Sequence, residues 1–187
     1  MRGAHASQVP GRQGGPAPVP CTGGGSRRPA LCQQGATGPG PGHNRPMSTV
    51  FTKIMNGELP GHLVWADEVC VVLATIEPHT DGHVLVVPRA EIGSYVDAPE
   101  DVVAHLAVVA RRVGAAQTRV FGAPRAGVMV VGYGVDHLHV HVLPIWSEAD
   151  VCPSSARHDV PDQEIGAAME RLRAGLTEDG WGEFVTR

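Results

Sequence analysis

Nine consecutive residues carry the strongest chemical signal in the chain: Asp136-His137-Leu138-His139-Val140-His141-Val142-Leu143-Pro144. Side chains of a strand alternate between its two faces. The spacing therefore predicts His137, His139 and His141 on one solvent-facing side and Leu138, Val140 and Val142 against the core. Neighbouring imidazoles then stand roughly 6–7 Å apart. Two chemistries suit such a row. Zinc accepts three histidines and an open fourth position. On a straight strand, however, the outer two rings are roughly 13 Å apart, so a zinc site would take two of them plus His83 or an acid from elsewhere. Alternatively, the central imidazole attacks phosphorus while its neighbours donate to phosphate oxygens and hold its tautomer. That use needs rings side by side, not converging on a point. A surface strand with histidine merely as its polar face is the third reading. Three in register opposite purely aliphatic partners argue against it.

The elements that must position these residues follow from periodicity. Residues 50–55 form a short apolar strip, and 56–61 are dense in turn formers. Two strands, 63–66 and 69–75, read as an antiparallel hairpin turning at Asp67-Glu68. A third strand at 83–88 ends at Pro88. Val102, Leu106, Val109, Val113, Ala116 and Val120 recur at three- and four-residue steps, predicting a helix over 99–121. Pro99 opens it, Glu100 and Asp101 suit its positive end, and Gly122 stops it. Strands at 127–132 and 137–144 follow, then a helix at 162–176. Runs of strands around one long helix indicate an α+β domain with a mostly antiparallel sheet. No GxGxxG and no GxxxxGK[ST] is present, which excludes the usual dinucleotide and P-loop signatures.

Composition divides the 187 residues unevenly. Residues 1–46 hold 11 Gly, 8 Pro and five Arg but no Asp or Glu. Such a segment cannot bury enough surface to offset its chain entropy. It is expected to be a disordered extension, either upstream of the true start at Met47 or a tail without function. Residues 47–150 are then the folded domain, and 151–187 a C-terminal helical extension. The whole chain has a formal charge of -4, which argues against a nucleic-acid partner. No apolar run approaches the roughly 18 residues of a membrane span. Four cysteines (21, 32, 70, 152) without a CxxC argue against a disulfide scaffold and a Cys-rich zinc site. They fit a reducing, cytoplasmic setting.

HLHVHVLP, preceded by GVMVVGYGVD and by the upstream GHVLVVPR, resembles the signature of the histidine-triad (HIT) nucleotide hydrolases and transferases, in its bacterial-type form. The resemblance extends over most of 50–146. It implies a HIT-like fold: a five-stranded sheet, a long central helix and a C-terminal helix. It implies that His139 attacks the α-phosphorus of a nucleotide conjugate and forms a covalent nucleotidyl-histidine, without metal or cofactor. His141 would bond the phosphate, His137 would sit behind the nucleophile, and His83 would bond into the triad. Substrates would be purine nucleotide conjugates such as nucleoside phosphoramidates or dinucleoside polyphosphates. Ile54, Met55, Leu73, Thr75, Ile76, Gly132, Tyr133 and Gly134 match positions that line or approach the ligand, with Phe51 and Leu59 nearby. The resemblance also implies a two-fold homodimer. The broad apolar face of helix 99–121, including Val109 and Val113, is expected to serve both its own sheet and a partner.

Five places depart from the family pattern. Thr75 stands where a ribose-binding acid is usual. Ala126 stands where an amide is usual, about eleven residues before the first triad histidine. Tyr133-Gly134 replaces a Gln-Ser/Thr pair that supplies a hydroxyl. Asp136 adds an acid directly before the triad, and Ile145-Trp146 stands where an Arg is usual. His62 and His79 fall in turn-rich loops and are expected to face solvent. His105 lies on the helix as a boundary residue.

Overall fold

The computed structural model describes residues 48–186. The expected extension 1–46 lies outside them. A five-stranded antiparallel sheet organises the domain. Helix α1 (Val50–Met55) precedes a hairpin of β1 (Leu63–Ala66) and β2 (Cys70–Ala74), then β3 (Val84–Pro88). Helix α2 (Glu100–Phe121), β4 (Arg125–Met129), β5 (Val140–Ile145) and α3 (Asp162–Leu176) follow. The strand order is β1-β2-β3-β5-β4, antiparallel at every pair.

The hairpin turns on Asp67, whose carboxylate accepts from the amides of Val69 and Cys70 and from Trp65 Nε1, each at 2.8 Å. Helix α2 ends because Gly122 takes the left-handed conformation at φ 69°, which Cβ-bearing residues resist. One face of the sheet buries Val72, Val84, Val86, Leu138, Val140 and Val142 under α2 and α3. The other buries Val71, Leu73, Leu85 and Val87 with Phe51 of α1. Within the first layer, Gln117 of α2 is fully buried and donates through Nε2 to the carbonyls of Gly82 (2.8 Å) and Val142 (3.0 Å).

Three expectations change. The strip at 50–55 is a helix, capped by Thr49, whose hydroxyl accepts from Thr52 N. The strand expected at 137–144 starts three residues late. Beyond Val86↔Val140, the partner residue Pro88 has no N–H to donate. Its carbonyl is taken by the His137 ring (2.8 Å), and Leu138 N donates to Ile92 O (2.6 Å) instead. With 137–139 held outside the ladder, β4 also stops at Met129 rather than reaching residue 132. Third, Val109 and Val113 are fully buried within the chain. These two residues pack toward the sheet and α3, while Ala104, Ala107 and Val108 of the same helix stay exposed.

Candidate active site

Four imidazoles converge where β3 meets β5. Leu85 faces His141 across the ladder, and His83 sits just before β3. The hydrogen bonds assign a proton to each ring. The amide of His79 donates to His83 Nδ1 (3.2 Å). A neutral His83 then carries its proton on Nε2 and donates to His141 Nδ1 (3.1 Å). His141 in turn keeps its proton on Nε2. His139 Nδ1–H donates to the carbonyl of His137 (2.7 Å), which leaves a lone pair on Nε2. The His139 and His141 ring centroids are 5.1 Å apart. A lone pair and an N–H donor thus lie side by side.

Burial keeps this arrangement neutral. It pulls His83 down to about 3, with help from His141 and His79. It pulls His141 down to about 4, with help from His139 and His79. Both are therefore uncharged at neutral pH. This has a stability consequence. Below the ordinary histidine value near 6.5 the unfolded chain binds protons that the folded chain refuses. Stability is therefore expected to fall from about pH 6 toward pH 4, by up to about 1.4 kcal/mol per pH unit for His83 alone. Urea midpoints at pH 7, 5 and 4 measure it, and His83→Gln should flatten the slope. An equal slope in that variant would refute the assignment.

Two of the three triad rings do not face solvent as the alternation predicted, while His141 is partly exposed. His137 is fully buried and His139 is 7% exposed, because α1 lies over them. Phe51 meets both rings edge-on, at 5.7 and 5.2 Å. Ile54, Met55 and Leu73 belong to the apolar wall around Phe51. Thr75 is partly buried, and its hydroxyl accepts from Glu77 N within its own turn (3.3 Å). Ile76 and Tyr133 project outward, 81% and 99% exposed. Gly132 and Tyr133 border an open groove with Gly93, Ser94, Tyr95 and Asp136; Gly134 is exposed. Ala126 is on the opposite face of the sheet from the triad, packed against Gly114 of α2. The β4 residue beside His141 is Met129. His79 is partly buried and bonds Asp150 O and Ser155 Oγ, while His62 bonds Asp162. Neither is a free loop side chain.

Sequence reasoning passed over Thr49, Thr52, Glu91 and the Pro88 carbonyl, all of which gather behind His137. Their only signal was position in turn-flanking segments, which is weak.

A zinc site built on His83 would have to replace two hydrogen bonds. His83 has both nitrogens engaged. Among the described residues, Asp67, Cys70 and His105 offer ligand atoms within 4.8 Å of one another. There the Asp67 carboxylate already accepts from Trp65, Val69, Cys70 and His105. Burial opposes its charge, but these donors outweigh it and hold it near 2. Burial and the Asp67 charge push the Cys70 thiol strongly upward.

A family model for the HIT domain matches residues 56–147. Residues 56–147 are a HIT domain. A zinc-bound histidine triad family protein from Mycobacterium smegmatis superposes with TM-score 0.63 at 29% identity, covering 73% of this chain and 98% of that one. A hypothetical histidine triad nucleotide-binding protein from Sulfolobus tokodaii gives TM-score 0.59 at 26% identity, covering 68% and 91%. An adenylylsulfatase of Arabidopsis thaliana is 23% identical over 161 residues, 79% of this chain and 82% of that protein. The α+β sheet expected from the sequence is therefore the HIT-like fold, that of a family of nucleotide-binding hydrolases and transferases. No helix among the described residues of this HIT protein is long and apolar enough to cross a membrane.

Proposed function

We propose that the chain is a nucleotide hydrolase or nucleotidyl transferase that acts at the α-phosphorus of a purine nucleotide conjugate. The observation that carries this is the His139 ring: Nδ1–H is held by the His137 carbonyl, so Nε2 presents its lone pair beside the Nε2–H of His141. Nε2 of His139 forms the new P–N bond as the bond from phosphorus to the leaving group breaks. The charge gained by the imidazole is stabilised by the carbonyl at Nδ1. The His141 N–H donates to a phosphate oxygen as charge builds there. Water or another acceptor then releases the nucleotide and restores His139.

Nucleoside phosphoramidates and dinucleoside polyphosphates are the first substrates to try. The similarity to an adenylylsulfatase adds adenylyl sulfate, in which sulfate would leave. The test is acid-free quenching with each substrate, followed by mass spectrometry for a nucleotidyl adduct on His139. Turnover with the adduct supports the proposal. Binding of nucleotide with neither turnover nor adduct on any of the three classes refutes it.

Assembly as a two-fold homodimer is part of the same proposal, with the sheet continuing across the interface beside the exposed residues Ala104, Ala107 and Val108 of helix α2. Strand β4 is an edge of the sheet; Val128 on it and Val130 and Val131 just beyond its end are 57%, 41% and 63% exposed. An apolar open edge favours pairing with a second copy. Sedimentation equilibrium at micromolar concentration should give twice the chain mass, and Val131→Glu should split the dimer. A single species near 19.6 kDa would exclude it.

A further inference from the structure

The nucleophile's ring is oriented by a backbone carbonyl that lies outside the sheet. His139 Nδ1 donates to His137 O, yet the β5 ladder begins only at Val140. Something other than strand pairing must therefore hold residues 137–139. One anchor is the Leu138 amide on Ile92 O. The rest is the His137 side chain, clamped at both nitrogens. Its Nε2–H donates to Pro88 O (2.8 Å), an atom that can only accept. Its Nδ1 therefore carries the lone pair, and the Thr49 hydroxyl 2.7 Å away donates to it.

Thr49 is itself fixed on three sides. Its oxygen accepts from Thr52 N (3.2 Å), and its amide donates to Glu91 Oε1 (3.1 Å). The Thr52 hydroxyl donates to the same carboxylate oxygen. With the Thr52 proton committed to Glu91, the Thr49 proton has two acceptors in reach. His137 Nδ1 at 2.7 Å is nearer than Thr52 Oγ1 at 3.1 Å. The start of α1, the chain just after β3 and the triad segment are thus tied at one point.

We propose that Thr49, supported by Thr52 and Glu91, is a positioning residue for the nucleophile: it fixes the residue whose carbonyl sets the His139 tautomer. This rests on the assignment of His139 as nucleophile made above. The hydrogen-bond partners of Thr49 include His137 but not His139. Thr49 acts through the His137 ring, and the His137 backbone passes the constraint on. A displaced carbonyl would free Nδ1 and let the proton exchange to Nε2, which removes the attacking lone pair from that fraction of molecules. Misplacement of this kind can lower a rate by about 10²-fold.

Three variants of the full chain separate positioning from simple capping of α1. Thr49→Val removes the hydroxyl at constant shape, Thr49→Ser keeps it, and Glu91→Gln keeps an acceptor for Thr52. Two readouts are needed: kcat and KM with a nucleoside phosphoramidate, and long-range 1H–15N spectra of histidine-labelled protein. Thr49→Val should lower kcat by about 10- to 100-fold with KM little changed. Its His139 nitrogens should move from a single Nδ1–H form to an average of two tautomers. Thr49→Ser and Glu91→Gln should stay near the parent in both. A folded Thr49→Val with parental kcat and parental His139 shifts would overturn the proposal. So would a loss of kcat that follows melting temperature and is not restored by serine. If the parent turns over no nucleotide while the His139 shifts still respond to Thr49→Val, the nucleotidyl-transfer assignment fails and the positioning link stands.

Discussion

Replacing His139 with alanine should abolish turnover, by at least about 10³-fold, on any substrate the parent cleaves. The reason is specific to this ring. Among His83, His137, His139 and His141 it alone presents an unprotonated nitrogen with no partner assigned to it, since His83 Nδ1, His141 Nδ1 and His137 Nδ1 all accept hydrogen bonds. The nucleotidyl adduct should vanish with the activity. His141→Ala should cost about 10²–10³-fold, the usual effect of removing one donor from a charge-stabilising site. It should leave some adduct detectable, because His139 keeps its lone pair. Rate and adduct together check the pair of roles. Near-parental turnover in His139→Ala would remove the foundation of the mechanism.

The largest stability effect should come from the C-terminal helix. Ile165, Ala168, Met169, Leu172 and Leu176 of α3 lie in the same buried cluster as the helix-facing side of the sheet. Beyond it, Phe184 stacks on Trp65 at 4.5 Å, and Trp181 lies under the Arg112 guanidinium at 4.1 Å. A chain ended before Pro161 would expose this whole layer, and it should lose its cooperative unfolding transition. Leu172 is fully buried, so Leu172→Ala should cost about 3 kcal/mol. Urea denaturation followed by circular dichroism measures both. A shortened chain with the parental midpoint would mean that α3 is an appendage.

Periodicity made much of this legible. The helix expected at 162–176 is Asp162–Leu176, and the helix at 99–121 begins one residue later. These segments bury one continuous stripe, so their pattern is unmixed. The hairpin was readable because aliphatic runs flank a short acidic turn. What periodicity could not reveal is where hydrogen bonds leave the ladder. Leu138 obeys the alternation perfectly yet bonds Ile92 rather than β3. The burial of His139 was hidden for a related reason. Its cover, α1, is only six residues long, too short to show a helical repeat. Matching Ala126 by counting back from His137 also failed. A count along the chain ignores which face of the sheet it lands on, and the loop between β4 and the triad is what decides that.

Gln117 bears on how the domain acquires its shape. The two carbonyls it bonds belong to residues adjoining His83 and His141. Those residues come from chain segments far apart in sequence, with α2 itself running between them. Their pairing is a non-local contact of the kind that is slow to form. The amide nitrogen gives one proton to each side, so both protons find acceptors only once both segments are in place. Helix docking and closure of the central strand pair are thereby made conditional on each other. The imidazole cluster is thus assembled on a pairing between distant segments, and it exists only in chains that have completed that pairing.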